Sequence, residues 1–147
     1  MFEKILIPTD GSVVARKAIK DGVAFAKEVG ASVVAYYAAE PIERAPNPGI
    51  SHIRPIVTDE VKQRIAERGQ HYLDEVANAC TTAGVACETL MTSPESPYLG
   101  IVETALNEKC DLIFMASHGR GELAALILGS VTQKVLAHSK IPVLVYR

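Results

Sequence analysis

Residues 111–130 read DLIFMASHGRGELAALILGS. The apolar run at 111–115 predicts a buried strand, a glycine-bearing loop follows it, and residues 130–139 carry a helical pattern. Such a loop offers backbone N–H groups to a phosphate, because the first turn of a helix has no internal acceptors for them and the helix dipole favours an anion. The stretch therefore predicts a strand, a helix and, between them, a nucleotide site.

The same alternation of strand and helix extends along the whole chain. Apolar runs predict the strands, helical spacing of apolar residues predicts the helices, and Gly30 and Gly84 mark two helix ends. The predicted strands are residues 5–7 (ending near Asp10), 32–39, 86–92, 111–115 and 142–146, and the predicted helices are 15–29, 59–84, 99–108 and 130–139. Residues 40–58 hold four prolines and are expected to form a long loop.

Strands that alternate with helices, and that are apolar rather than alternating in polarity, are typical of a parallel sheet covered on both faces. We therefore expect an α/β fold, namely an open, doubly wound, Rossmann-like parallel sheet of five strands with helices on both faces. A chain of 147 residues can form it as one domain spanning residues 1–147.

Charge and hydropathy exclude several classes of partner. The net charge is -2 and the basic residues are scattered, so we expect no nucleic acid partner. No apolar stretch approaches the roughly 18 residues of a membrane span, so we expect no membrane role. The N-terminus enters strand-like sequence without a basic leader, which favours a cytoplasmic location. Cys80, Cys87 and Cys110 lack metal-binding or CxxC spacing and are interpreted as reduced thiols.

The predicted topology places the candidate site in the loops that follow strands. In open α/β sheets, ligands bind beyond the carboxyl ends of the strands where the strand order reverses. If strand one lies between strands two and four, the Asp10 loop and the Ala116 loop face each other there. An acidic side chain can accept from ribose or an adenine amino group, while glycine-rich backbone approaches phosphate.

Residues 111–147 resemble the universal stress protein family, whose nucleotide-binding members carry G-x2-G-x9-G-[S/T] after strand four. Gly119, nine residues and Gly129-Ser130 match the second half of this motif. The opening PTDGS at 8–12 resembles the family's first-strand loop, and IPVLV at 141–145 resembles its terminal strand. The likeness extends over the length of the chain and its order of elements.

The resemblance implies the strand order 3-2-1-4-5 and an ATP molecule, with or without Mg²⁺, over the loops of strands one and four. It implies a stress-response or signalling protein that acts by binding, with at most slow ATP hydrolysis. It also implies a homodimer through the C-terminal strand, from Pro142 to Tyr146. The candidate nucleotide-binding residues are Pro8, Thr9, Asp10, Ala38, Ala116, His118, Gly119, Arg120, Gly129, Ser130 and Val131.

Ala116 departs from the motif, because the family has glycine at that position. The methyl group matters if ribose packs against this backbone or if φ must be positive, since glycine takes such a conformation freely. An extended backbone would tolerate alanine. The alternative function is therefore a dimeric interaction protein of the same fold that binds no nucleotide.

Each candidate also has a structural interpretation. Asp10 or Ser130 can serve as a helix N-cap, and the glycines can be turn residues. Arg120 can be an ordinary surface arginine, and His118 can order its loop rather than act as a base, because no nucleophile is identifiable beside it. A receiver domain would need an aspartate where Thr92-Ser93 stands, and a P-loop kinase would need lysine before the hydroxyl of Ser130.

Overall fold

The computed structural model describes residues 1–41, 58–119 and 127–147. In these ranges strands and helices alternate along the chain: β1 (Lys4–Pro8), α1 (Val13–Val29), β2 (Ser32–Ala38), α2 (Asp59–Ala83), β3 (Cys87–Thr92), α3 (Pro97–Asn107), β4 (Leu112–Ala116), α4 (Ser130–His138) and β5 (Val143–Tyr146). Most of the proline-rich loop expected at 40–58 lies outside the described residues. No helix in the described ranges has both the length and the apolar character that crossing a bilayer requires.

The five strands form one parallel sheet in the order β3-β2-β1-β4-β5. In the centre, Ile7 of β1 is in register with Ala35 of β2, and Ile5 is in register with Leu112 of β4. Ile5, Leu6 and Ile7 are fully buried, as expected for a strand with neighbours on both sides and helices on both faces. The predicted fold class and strand order are confirmed.

Alternate residues of each strand reach opposite faces of the sheet, so the core has two layers. Ile5 and Ile7 contribute to a cluster with residues of α1 and α2, whereas Leu6 contributes to a cluster with residues of α3 and α4. The chain after β1 therefore crosses to one face, and the chain after β4 crosses to the other. This divergence makes the β1–β4 boundary the point where the direction of winding changes.

The predicted boundaries differ from the observed ones by one or two residues, for local reasons. Helix α1 begins at Val13 rather than residue 15, because the Ser12 hydroxyl accepts the Ala15 N–H at 3.1 Å and caps the helix. Helix α3 begins at Pro97 rather than residue 99, since proline is favoured in the first helical turn. Gly30 and Gly84 end α1 and α2 as predicted, with left-handed φ values of 74° and 73°.

Candidate functional site

A cleft of about 360 Å³ opens at the carboxyl ends of the strands. It lies where the sheet changes its direction of winding, the position at which open α/β sheets bind ligands. Ten residues named from the sequence line it: Pro8, Thr9, Asp10, Ala38, Ala116, His118, Gly119, Gly129, Ser130 and Val131. The eleventh, Arg120, lies outside the described residues.

Hydrogen bonds fix the loop after β1 to its neighbour and to itself. The Thr9 N–H donates to the Tyr36 carbonyl of β2 at 2.9 Å, and the Thr9 hydroxyl accepts the Gly11 N–H at 3.2 Å. Asp10 Oδ1 accepts the Ser12 N–H at 2.9 Å. The side chain of Asp10 thus orders the loop ahead of α1, and Ser12 is the N-cap instead. The interpretation of Asp10 as a helix cap is wrong.

Gly11 is required in this loop for two separate reasons. Its φ is 74°, a left-handed conformation that side chains disfavour. A Cβ atom built on it would also overlap the ring of Tyr72, which reaches the loop from α2. Helix α2 and the β1 loop therefore pack against each other with no room for a side chain at this position.

The opposite wall is built where the chain leaves β4 and where it enters α4. The Ser117 N–H donates to the Tyr146 carbonyl at 2.7 Å, and the Ser117 carbonyl accepts the Gly129 N–H at 2.8 Å. The buried Thr132 hydroxyl donates to the Ala116 carbonyl at 3.0 Å. Two of these hydrogen bonds, those to the carbonyls of Ser117 and Ala116, hold the start of α4 against the end of β4, and the third joins the end of β4 to β5.

The N-terminus of α4 faces the cleft. Gly129 is its N-cap, with an extended backbone (φ −60°, ψ 154°), and Ser130 is the first helical residue. The interpretation of Ser130 as the N-cap is therefore wrong. Gly129 has no side chain to cap the helix, and the first turn of a helix cannot satisfy its own N–H groups. With Ser130, Val131 and Thr132 lining the cleft, the positive end of the helix dipole points into it.

Ala116 is the last residue of β4 and is in register with Tyr146 of β5. Lys109 is the only described residue other than glycine with a positive φ, so the φ of Ala116 is negative. The methyl group packs against the apolar cluster on the α1–α2 face. The motif could require glycine at this position either for a positive φ or for close contact with a ligand. The negative φ removes the first reason and leaves the second.

Gly119 brings the two loops together across the cleft. A Cβ atom built on Gly119 would overlap the carboxylate of Asp10. On the same side of the cleft, the His118 ring nitrogen Nδ1 is hydrogen bonded to the Ser117 hydroxyl at 2.9 Å. The glycine is therefore needed for a close approach between the wall after β4 and the acidic side chain after β1.

Sequence reasoning missed two charged residues of the cleft, Glu40 and Arg68. Arg68 projects from α2, whose amphipathic pattern predicted the helix but not the side chain that reaches the site. The neighbouring Gly69 could have indicated from the sequence that this part of α2 packs closely against the sheet. A glycine inside a helix lowers helix stability by about 1 kcal/mol relative to alanine, so its presence there indicates a close contact between backbones or side chains. A Cβ atom on Gly69 would overlap Tyr37 and Met91 of the sheet.

The floor of the cleft includes the phenol of Tyr36. Burial raises the pKa of Tyr36, and its hydroxyl is hydrogen bonded to the Thr92 hydroxyl at 2.7 Å. The residue therefore stays neutral and held in place. No group of three or more metal-ligating side chains occurs among the residues the structure describes.

Comparison with known proteins agrees with this architecture. A sequence profile of the Universal stress protein family matches residues 1–147. The chain is 34% identical to Universal stress protein MJ0531 of Methanocaldococcus jannaschii, over 100% of this chain and 83% of that protein. It is 33% identical to a universal stress protein of Thermus aquaticus over the full length of both.

Solved structures share the fold. The structure of MJ0577, a Methanocaldococcus jannaschii protein, superposes with a TM-score of 0.79 at 29% identity, covering 99% of this chain and 95% of that one. A universal stress protein in complex with cAMP has a TM-score of 0.72 at 24% identity, covering 99% and 97%. One from Archaeoglobus fulgidus in complex with dAMP has a TM-score of 0.68 at 16% identity, covering 100% and 98%.

Replacing Thr132 with valine tests how α4 is held at the cleft. Thr132→Val keeps the shape of the side chain but leaves the Ala116 carbonyl without this donor, so the free energy of unfolding should fall by about 1–3 kcal/mol. Thr81→Val is the matched control, because the exposed Thr81 hydroxyl also donates to a carbonyl, that of Ala77. Its effect should stay within about 0.5 kcal/mol. Equal losses in urea unfolding of the two variants would contradict this role.

Proposed function

Because the chain belongs to the universal stress protein family, we propose that it is a stress-response or signalling protein that binds ATP in the cleft between the β1 and β4 loops. One observation carries the proposal. The N-terminus of α4 and the carboxylate of Asp10 face the same cleft from opposite walls. A phosphate suits the first, and the hydroxyl groups of a ribose suit the second.

The phosphate chain lies against Gly119, Gly129, Ser130 and Val131 in this proposal. Backbone N–H groups in the first turn of α4 donate to the phosphate oxygens, and the helix dipole adds attraction for the negative charge. The Ser130 hydroxyl stands at the same end of the helix. Gly119 and Gly129 let the backbone come close without side chains in the way.

The nucleoside lies toward β2. Ala38 ends that strand at the cleft, so its backbone can pair with the edge of adenine, while Asp10 accepts from ribose. Pro8, Thr9 and Ala116 complete the surface beneath the sugar. The adenine nucleotides named in the complexes of two structural neighbours, cAMP and dAMP, support adenine nucleotides as the ligand class.

Charge explains why Mg²⁺ would accompany ATP. The described wall of the cleft carries the carboxylates of Asp10 and Glu40 and the guanidinium of Arg68. A triphosphate therefore enters a site with little excess positive charge from side chains. Mg²⁺ is usually bound through substrate phosphates with few protein ligands, so it can neutralise the triphosphate without a dedicated protein site.

The proposed activity is binding rather than efficient turnover. His118 lines the cleft, but its Nδ1 atom is engaged by the Ser117 hydroxyl. At most slow hydrolysis stays a prediction, as does the cytoplasmic location. A protein of this fold that binds no nucleotide remains the alternative, and absence of binding heat with Mg-ATP would favour it.

We also propose that β5 pairs with β5 of a second copy in a two-fold dimer. The carbonyls of Pro142 and Tyr146 accept hydrogen bonds from the N–H groups of Ile113 and Ser117, so these even-numbered residues face β4. The odd-numbered residues of β5 therefore direct their backbone N–H and C=O groups toward the outer edge of the sheet. All four residues of β5 are partly exposed in the described chain. An edge with such groups is a ready template for another strand.

Two substitutions of Ser130 distinguish the contribution of its backbone amide to phosphate binding from that of its hydroxyl. Ser130→Pro removes the N–H at the first helical position, where proline is tolerated, and Ser130→Ala removes only the hydroxyl. Losing one hydrogen bond to a charged phosphate costs about 1.5–3 kcal/mol, so Ser130→Pro should weaken Mg-ATP binding about tenfold or more in calorimetric titrations. Ser130→Ala should lose less affinity for Mg-ATP than Ser130→Pro does. Adenosine, which has no phosphate, should bind both variants with the same affinity. Wild-type affinity for Mg-ATP in Ser130→Pro would contradict the phosphate site.

Exchanging alanine and glycine in the β4 loop tests the motif position by position. Gly119→Ala should weaken Mg-ATP binding about tenfold, because its Cβ would displace the Asp10 carboxylate. Ala116→Gly should change the Kd by less than about threefold, because the φ of Ala116 is already negative. A large gain of affinity in Ala116→Gly would instead show that the methyl group occupies ligand space.

Replacing Val145 tests the dimer. Val145→Pro removes an N–H group that points away from β4, so it should give a monomer by light scattering while circular dichroism stays unchanged. Val145→Thr keeps the amide and the branched shape and should remain dimeric. A dimeric Val145→Pro variant would place the interface elsewhere.

A further inference from the structure

Two cysteines far from the nucleotide cleft are brought together at the α2–β3 connection. Cys80 lies in the last turn of α2 and Cys87 is the first residue of β3. Gly84 ends the helix in a left-handed conformation, and the Val85 N–H donates back to the Cys80 carbonyl at 2.9 Å. The chain thus folds back on itself, so that Cys87 returns to the level of Cys80.

The two side chains meet in the same apolar layer. Cys80 is fully buried in the cluster on the α1–α2 face, and the partly exposed Cys87 packs against that cluster. The two thiols lie close enough to shift each other's pKa. The Cys87 thiol also lies 3.6 Å from the Glu88 carbonyl. Cys87 is therefore the partly exposed member of the pair, and the fully buried Cys80 lies next to it.

We propose that Cys80 and Cys87 form an oxidisable dithiol that hydrogen peroxide converts to an intrachain disulfide. The site stands at the amino end of β3, whereas the cleft stands at the carboxyl ends of the strands. Failure of nucleotide binding would therefore leave this proposal unaffected. The partly exposed Cys87 is the attacking thiol, and the buried Cys80 is the resolving thiol.

The chemistry balances with peroxide as the oxidant. The Cys87 thiolate attacks one peroxide oxygen, an S–O bond forms, the O–O bond breaks, and the leaving hydroxide takes up a proton to give water. The Cys80 sulfur then attacks the Cys87 sulfenic acid, the S–S bond forms and the S–O bond breaks. The second hydroxide takes the proton of the Cys80 thiol. Two thiols and one peroxide give one disulfide and two waters.

The direction of the pKa shifts agrees with these roles. The interaction with the Cys80 thiol lowers the pKa of Cys87, whereas the same interaction, together with burial, raises the pKa of Cys80. A thiolate is the reactive form of cysteine, so the partly exposed member of the pair is also the more nucleophilic one.

Cys110 provides an internal comparison. It is buried in the cluster on the opposite face of the sheet, and burial raises its pKa to about 11. It therefore lacks both the exposure and the ionisation that oxidation by peroxide requires. Cys110 should stay reduced under conditions that oxidise the pair.

Treatment of the reduced, folded protein with hydrogen peroxide tests the proposal. After quenching, alkylation in denaturant and mass spectrometry, the number of alkylatable thiols should fall from three to one, and the unalkylated chain should lose about 2 Da. Peptide mapping should place the disulfide between Cys80 and Cys87 and the remaining thiol at Cys110. Dithiothreitol should restore all three.

Two single variants sharpen the result. Cys87→Ala should abolish the loss of 2 Da, and Cys110→Ala, the matched control, should retain it. Three alkylatable thiols after treatment would overturn the proposal. So would a stable gain of oxygen at Cys87 with Cys80 still alkylatable, or a disulfide that joins two chains.

Discussion

The rest of the structure depends on the burial of β1 between β2 and β4. Ile5, Leu6 and Ile7 have no solvent exposure, and each is committed to one face of the sheet by the alternation of the strand. Helices α1 and α2 cover one face, and α3 and α4 cover the other. Since the chain leaves β1 and β4 toward opposite faces, the ends of these two strands diverge and leave a cleft between their loops.

A small number of polar contacts then fixes the positions of the two walls of the cleft. Asp10 is ordered by the Ser12 N–H, and Thr132 ties the start of α4 to the end of β4. The close approach of Gly119 to Asp10 sets the distance between the walls. An acidic group and a helix N-terminus therefore face the same cleft, as a nucleotide with its sugar and phosphates requires.

Helix α2 links the two ends of the sheet. It places Arg68 at the cleft and Cys80 at the opposite end, a separation of 12 residues that corresponds to about 18 Å along a helix. Tight packing at Gly69 against Tyr37 and Met91 holds this helix on the sheet. The proposed nucleotide site and the proposed dithiol thus share one helix without sharing any residue.

Local sequence determined the elements and their order. Apolar runs such as 111–115 and helix-ending glycines such as Gly84 act over a few residues, so they were predicted to within one or two positions. The motif from Gly119 to Ser130 likewise named one wall of the cleft, and the roles of its residues toward a ligand stay predictions. Only the tertiary structure decided that Arg68 reaches the cleft, that Ala116 keeps a negative φ, and that Cys80 meets Cys87. Periodicity fixes which face of a helix is buried, whereas the neighbour that a side chain meets depends on how helix and sheet pack together.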